Sequence, residues 1–139
     1  MTTKEITGEG TTILGGRAAV HTDGTFETMG NQNVQGRLLI NDNSGDVADG
    51  GAIPLTSHAT VFATGGSETC TLAAGTEGQI KVLAMKTDGG DMVVTVTNAG
   101  WKSSGTGTIT FDTIGDSCIL QYLSSKWFVI ASEEAETDN

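Results

Sequence analysis

The chain has 139 residues, the length of one domain or of one compact domain that carries an arm. Seven basic and 17 acidic residues give a formal net charge of −10, which disfavours binding to a nucleic-acid backbone. No run of 18 apolar residues occurs, and the first residues lack the apolar run of a signal peptide. We therefore expect neither nucleic acid nor membrane as a partner, and synthesis in a cytoplasm.

The composition favours strands over helices. Glycine accounts for 20 residues and threonine for 22, and both are poor helix formers, glycine costing about 1 kcal/mol in a helix interior. Leu, Ile, Val and Phe together number 30, which is enough for a small core only. The sequence predicts an all-β protein with a thin core.

The first 50 residues hold 10 of those 30 side chains, too few for a core of their own. Short strands are predicted at 11–14, 17–21 and 35–40, and Asp23-Gly24 suits a hairpin turn. We expect residues 1–50 to form an extended N-terminal arm, or a small β subdomain, that becomes ordered against another surface. Its last part, 42–51, has the composition of a linker.

Residues 51–132 show the rhythm of a β-rich body. About seven strands with alternating apolar and polar residues follow one another, with turn signals every 8–12 residues. Residues 87–91 and 124–126 predict two tight hairpins. This pattern is typical of an antiparallel β-sandwich or a jelly-roll-like body. Residues 133–139 carry four acids and no base, so we expect a solvated, frayed tail.

The alternation also predicts which side chains fill the core of this body. The candidates are apolar residues spaced two apart on the predicted strands, together with one tryptophan. They are Val61, Leu72, Ile80, Val82, Val94, Val96, Ile109, Phe111, Leu120, Trp127, Val129 and Ile130.

Few residues suggest chemistry. His58 follows Ser57, and His21 stands alone; no nucleophile elbow, phosphate-binding glycine motif or metal-ligand spacing accompanies them. The sequence therefore predicts no catalytic residue, no cofactor site and no metal site. Cys70 and Cys118 are interpreted as small buried side chains, and a bridge between them is left open.

A calcium site is the alternative for one acidic loop. Asp42, Ser44 and Asp46 alternate like the first ligands of an oxygen-rich calcium loop. An EF-hand loop would then need glycine and glutamate where Val47 and Ile53 stand. An acidic surface loop is the favoured interpretation.

Two aromatic positions bear on binding. Trp101, in a predicted loop, is either a cap over one end of the body or a platform for a sugar or a partner. Trp127 and Phe128 are adjacent on one predicted strand, so they point to opposite faces. If one face is the core, the other is a candidate subunit interface.

A series of motifs runs through residues 71–130. It begins with TLAAGTEGQIK at 71–81, continues with DGGDMVVTVT at 88–97 and TITF at 108–111, and closes with IGDSCILQY at 114–122 and KWFVI at 126–130. Over about residues 55–131 the chain resembles a β module common in virion structural proteins of tailed phages, especially phages of aquatic bacteria. The most specific part is GDS-x-x-LQY followed by KW-x-VI.

The resemblance implies a non-enzymatic role on a particle: a capsid decoration (cement) protein or head fibre, or a tail appendage. We expect a homotrimer, made in the host cytoplasm, that binds the major capsid protein on the outer capsid surface and stabilises the shell. The alternative is a tail or fibre component that binds a host surface glycan. A secreted adhesin and a small hydrolase fit less well. The candidate capsid-binding residues are apolar or arginine positions of the arm: Ile13, Leu14, Arg17, Phe26, Arg37, Leu38 and Ile40.

Overall fold

The computed structural model describes residues 18–20, 26–28, 37–40 and 44–138, the first two stretches as backbone. The chain divides into two compact units, Met1–Leu39 and Ile40–Asn139. In the first unit, β1 (Ala18–Val20) pairs antiparallel with β2 (Phe26–Thr28). These strands flank the predicted Asp23-Gly24 turn, which itself lies outside the described residues.

The second unit consists of two sheets. Sheet I has four strands in the order β10-β9-β6-β4, and sheet II has five in the order β11-β8-β7-β5-β3. The strands are β3 (Gly51–Ala52), β4 (Ala59–Ala63), β5 (Glu68–Leu72), β6 (Ile80–Thr87), β7 (Met92–Thr97), β8 (Thr106–Phe111), β9 (Ser117–Leu123), β10 (Lys126–Glu133) and β11 (Glu136–Thr137). The described residues contain no helix, so the all-β prediction is confirmed.

The prediction of antiparallel sheets is wrong, because both sheets are mixed. β4 pairs parallel with β6 in sheet I, and β5 pairs parallel with both β7 and β3 in sheet II. The cause is the path of the chain, which passes from sheet I to sheet II twice in succession, from β4 to β5 and from β6 to β7. Because both crossings run from sheet I to sheet II, β4 and β6 lie side by side and parallel, and so do β5 and β7.

The predicted hairpin at residues 87–91 is one of these crossings, since β6 and β7 lie in different sheets. Its glycines lie against the other crossing loop, 64–67. A Cβ on Gly89 would come within 2.5 Å of the Thr64 carbonyl oxygen, and one on Gly90 within 2.5 Å of the carbonyl carbon of Gly66. The glycines therefore serve close packing of two backbones and not a tight hairpin turn.

The second predicted hairpin is confirmed. β9 and β10 pair antiparallel across Ser124 and Ser125, whose φ angles are 49° and 63°. Two successive positive φ values match the right-handed twist of the flanking strands, a role that asparagine and glycine usually fill.

Side chains from both sheets meet in one core. The rings of Phe62 on β4 and Phe111 on β8 lie 5.2 Å apart, edge to face, and Trp127 packs edge to face on Tyr122. Seven of the predicted core residues are buried: Leu72, Val94, Val96, Ile109, Phe111, Leu120 and Trp127.

The predicted core was wrong along the outer half of sheet I. In β4 and β6 the buried residues are Thr60, Phe62, Lys81, Leu83 and Met85. The opposite face therefore holds Val61, Ile80 and Val82, which are half-buried or exposed, as are Val129 and Ile130 in β10. Because both faces of β6 are apolar, alternation alone does not choose between them.

Both ends of the second unit are built into it. Val47 is buried, and the Ser44 N–H donates to the Ala59 carbonyl of β4 at 2.9 Å, so the segment expected to be a linker lies along the edge of sheet I. At the other end, β11 extends sheet II beside β8, and Ala135 is buried. The acidic tail expected to fray thus begins at the end of β10 in sheet I and continues in β11 of sheet II up to Asp138, whose N–H donates to the Thr108 carbonyl at 3.2 Å.

Candidate functional site

The candidate capsid-binding residues fall into two groups. Ile13, Leu14 and Arg17 lie outside the described residues, and Phe26 begins β2, where only the backbone is described. The other three, Arg37, Leu38 and Ile40, are exposed.

Residues 37–40 form an apolar run that the described residues leave uncovered. Leu38, Leu39 and Ile40 expose 72%, 75% and 56% of their surface. Single exposed apolar side chains are ordinary, whereas three in succession at this exposure are typical of a segment that binds something else. Arg37 begins this run with a guanidinium group suited to a partner's carboxylate.

Ser57 and Lys81 form the closest approach between a hydroxyl and an amine. Lys81 is fully buried, and its Nζ donates to the Pro54 carbonyl, the Ser57 carbonyl and Ser57 Oγ, each at 2.7 Å. Ser57 Oγ in turn donates to the Pro54 carbonyl at 3.1 Å. Ser57 Oγ thus accepts from Lys81 and donates to the Pro54 carbonyl, and the cluster fastens the 54–57 turn to β6.

The neighbouring histidine has a backbone role as well. His58, which the sequence places beside Ser57, accepts a hydrogen bond from the Val82 N–H through its carbonyl at 3.0 Å. The Ser57 hydroxyl is directed at Pro54 and not at the imidazole. His21 lies outside the described residues.

In the loop considered for calcium, one carboxylate oxygen of Asp46 and the Ser44 hydroxyl bind other groups of the protein. Asp46 Oδ1 accepts from the N–H groups of Val47 and Ala63 at 2.9 and 3.0 Å, and Ser44 Oγ lies 2.7 Å from the Thr60 hydroxyl. Asp42, the other candidate ligand, lies outside the described residues. Nearby, hydrogen bonds from the backbone and side chain of Thr69 lower the pKa of Asp49.

The two cysteines are buried free thiols on different sheets, Cys70 on β5 and Cys118 on β9. Burial raises the pKa of each to about 12, and the nearby charge of Asp46 adds to the rise at Cys70. At neutral pH both are thiols with little nucleophilic character.

Trp101 is fixed by the C-terminal segment. Its indole N–H donates to Asp138 Oδ1 at 2.9 Å, and its ring lies against Gly107, where a Cβ would come within 2.5 Å of Nε1. Asp138 also accepts from the Thr108 N–H at 2.7 Å and pairs with Lys102 at 3.2 Å. These interactions, the bond from Trp101 above all, lower the pKa of Asp138 to about 2. We call Trp101, Lys102, Thr108 and Asp138 the C-terminal clasp.

The most specific motif of the sequence builds turns and core. Asp116 of GDS accepts from the Asp112 and Thr113 N–H groups at 2.8 and 3.0 Å through Oδ2, and Gly115 takes a φ of 102°. This closes the connection between β8 and β9. Trp127 of KW is fully buried, and its indole N–H donates to the Ala73 carbonyl at 2.9 Å. These motif residues shape the fold.

The outer faces of the two sheets differ in chemistry. The outer face of sheet II carries a threonine array whose central row is Thr71, Thr95 and Thr108, paired across three strands. Its members are the outward threonines of β5, β7 and β8, with Val93 the one apolar residue among them: Thr69, Thr71, Thr95, Thr97, Thr106, Thr108 and Thr110. Hydroxyl groups of this kind remain hydrated without a partner.

The outer face of sheet I is apolar instead. One row of paired residues crosses all four strands and consists of Ala59, Val82, Ile119 and Ala131. Ile80, Phe128 and Ile130 extend this row and expose between 38% and 56% of their surface. We call these residues the apolar face. The sequence indicated this surface because β6 has apolar residues on both of its faces. The prediction nevertheless placed the wrong one of these two faces in the core.

Known proteins provide no assignment. No protein-family model matches the chain, and no curated protein is significantly similar to it. Among the described residues no helix could cross a membrane, and no three His, Cys, Asp or Glu side chains are grouped as metal ligands would be.

Proposed function

We propose that the chain is a non-enzymatic structural protein of a tailed-phage virion, specifically a capsid decoration protein that binds the outside of the major capsid shell and stabilises it. In this proposal the second unit is a β-sandwich, and the chain acts as a homo-oligomer, a trimer in the simplest case. The observation that carries the proposal is the run Leu38–Ile40, three large apolar side chains in succession that are exposed.

Three further features support it. The phage-like motifs at 114–130 are used for turns and core, as expected if the resemblance reports a shared scaffold. A net charge of −10 keeps such a scaffold soluble before assembly. The exposed apolar run then supplies the contact that ordered assembly requires, with Arg37 available for a carboxylate on the shell.

The test is a binding assay with a matched pair of variants. Removing residues 1–39 deletes the first compact unit and leaves Ile40–Asn139, which holds the core. We expect this truncated protein to stay folded and to lose binding to expanded capsids that lack the chain. The double variant Leu38→Ser, Leu39→Ser should also weaken binding of the full chain. Thr95→Ser, in the threonine array, is the control and should bind like the wild type. Undiminished binding of the truncated protein would show that the leading segment is not the attachment element.

The tail or fibre function is the second candidate, and Trp101 is the observation that would favour it. A glycan platform needs an open aromatic face, and the ring of Trp101 is half-buried against Gly107. Sugar binding that is lost in Trp101→Ala and retained after removal of residues 1–39 would favour this function over decoration.

A further inference from the structure

We infer that copies of this chain associate through the apolar face of sheet I, so that Ile119 and Phe128 of one copy are covered by a second copy. The inference rests on the oligomeric state contained in the proposed function but not on attachment to a capsid. It assigns to oligomerisation a surface that the proposed attachment residues do not use.

The first argument is the contrast between the two outer faces. Both sheets are built mainly from β-branched and apolar residues on the inside, yet the outer face of sheet II is mainly threonine with Val93 among it, whereas the outer face of sheet I carries Val, Ile and Phe. The threonine array shows which side chains this protein places on a sheet face that is left to solvent. Compared with the threonine array, the apolar face exposes large apolar side chains, and we therefore infer that a partner covers it.

The second argument is charge. On sheet I the charged outward residues, Lys86, Lys126 and Glu133, stand at the ends of strands, and the Lys126 ammonium donates to the carbonyls of Lys102 and Ser103. The centre of the face is uncharged. Two chains of charge −10 repel each other, so an uncharged face is where they approach at the lowest electrostatic cost.

The third argument concerns shape. An open depression of about 310 Å³ is lined by the apolar residues Val82, Ile119 and Ala131 and by the polar residues Ser117, Ser132 and Glu133. Ile130, the extra residue of a β-bulge, projects beside it with 56% of its surface exposed. A projection and a hollow carried by the same chain are what a closed assembly of identical copies needs, because each copy supplies both.

Strand addition is a poorer route to association, since the sheet edges are obstructed. Residues 44–46 hydrogen-bond to both ends of β4, and the Trp127 N–H on β10 is taken by the Asn98 carbonyl. The bulge between Val129 and Ala131 interrupts the rest of β10. β3 and β11, the edges of sheet II, are two residues long. Short, bulged or covered edges disfavour pairing with another chain.

The size of the face sets the expected strength. Four strands about 4.8 Å apart and about six residues long make a face on the order of 400 Å² in plan. A standard interface buries about 800 Å² per partner. We therefore expect reversible association in the micromolar range.

The experiment is sedimentation velocity of the full chain over a micromolar concentration series. We expect the wild type to associate, and Ile119→Lys to weaken association at least tenfold although it makes the net charge less negative. Ile130→Lys provides a second variant at a more exposed position, so a folding defect in one variant does not decide the outcome. Thr95→Lys, at the centre of the threonine array, is the matched control and should associate like the wild type. Circular dichroism confirms that each variant is folded.

Three outcomes would overturn the inference: a monomeric wild type at high micromolar concentration, association unaffected by both lysine variants, or equal weakening by Thr95→Lys. A monomeric wild type whose binding to expanded capsids is lost in Ile119→Lys would mean that the shell covers the apolar face; the inference would fail and the proposed function would stand. Association without capsid binding would support the inference and contradict the proposed function.

Discussion

At the scale of single residues, Lys81 is the least expected feature of the unit. A fully buried lysine is rare unless its ammonium is satisfied, and here two carbonyls and a hydroxyl satisfy it. Its four-carbon stem passes through the core side of sheet I, and its head holds the turn at Pro54 and Ser57. One side chain thus sets the position of the connection that leads into β4.

Replacing Lys81 with methionine should therefore destabilise the protein. The variant keeps about the length of the side chain, but the Ser57 carbonyl loses its bond from Lys81 and the Pro54 carbonyl keeps only the bond from the Ser57 hydroxyl, at a cost of about 3 kcal/mol in the free energy of unfolding. Lys86→Met, on the exposed end of the same strand, is the control and should change it by less than about 0.5 kcal/mol. Urea denaturation measures both, and equal stability of the two variants would contradict this role.

The C-terminal clasp predicts a dependence on pH. The pKa of Asp138 in the folded protein is about 2, below its ordinary value of 3.8. A lowered pKa means that the carboxylate stabilises the fold above pH 3.8 and that this stabilisation is lost as the pH falls from 3.8 through 2. The wild type should therefore melt above Asp138→Asn at pH 6, and the difference should shrink towards zero at pH 2.

Glu136→Gln removes the same charge from β11 and is the control for this experiment. Melting temperatures followed by tryptophan fluorescence also report on Trp101, the indole held by Asp138. A gap between wild type and Asp138→Asn that is constant from pH 6 to pH 2 would show that the ionised carboxylate does not hold the clasp.

At the scale of elements, the two crossing loops decide the topology. Loops 64–67 and 88–91 lie against each other, and Thr64 Oγ1 links them by donating to the Gly90 carbonyl at 2.6 Å and accepting from the Gly89 N–H at 3.1 Å. Two chain crossings held at one end of the unit keep β4 beside β6 and β5 beside β7.

A methyl group at Gly90 should disturb this contact. A Cβ there would lie 2.5 Å from the Gly66 carbonyl carbon and 2.6 Å from the Ser67 nitrogen, both backbone atoms, and the residue has a φ of 154°. We expect Gly90→Ala to cost about 2 kcal/mol or more in chemical denaturation. Gly66→Ala, where nothing lies within 4 Å, is the matched control in the facing loop. A neutral Gly90→Ala would mean that the loops are not in close contact.

Alternation and turn residues predicted the strands well where one face of a strand is polar. In β7 the buried residues are Met92, Val94 and Val96, as the pattern predicted, because Thr95 and Thr97 mark the other face. In β6 the lysine at 81 indicated the outer face and was misleading, since its acceptors come from a turn 24 to 27 residues away. The alternation of residues within one strand does not indicate contacts with residues that far away in the sequence.

The Asp-Gly-Gly segment shows a second limit of sequence reasoning. Its composition fits a tight hairpin, and the same glycines equally permit two backbones to touch. Which of these applies depends on whether β7 joins the sheet of β6, a choice made by the whole core. The prediction of a frayed tail was wrong for a similar reason. Asp138 can accept hydrogen bonds from Trp101 and Thr108 only once β8 is in place.

At the scale of the whole molecule, the described residues present three kinds of surface: a threonine array, an uncharged apolar face, and an exposed apolar run at residues 38–40. The first needs no partner, the second is assigned to other copies of the chain, and the third to the capsid. The candidate residues before position 18 belong to this third assignment and lie outside the described residues, so mutagenesis is their test.

The proposed decoration function is tested most directly by locating the protein on purified virions of a tailed phage that carries its gene. Immunogold electron microscopy with antibodies to the chain should label the outer surface of the head, many copies per particle, and a deletion of the gene should yield heads that are less resistant to heat. Label confined to the tail or fibres, or virions that contain none of the protein, would contradict the decoration function.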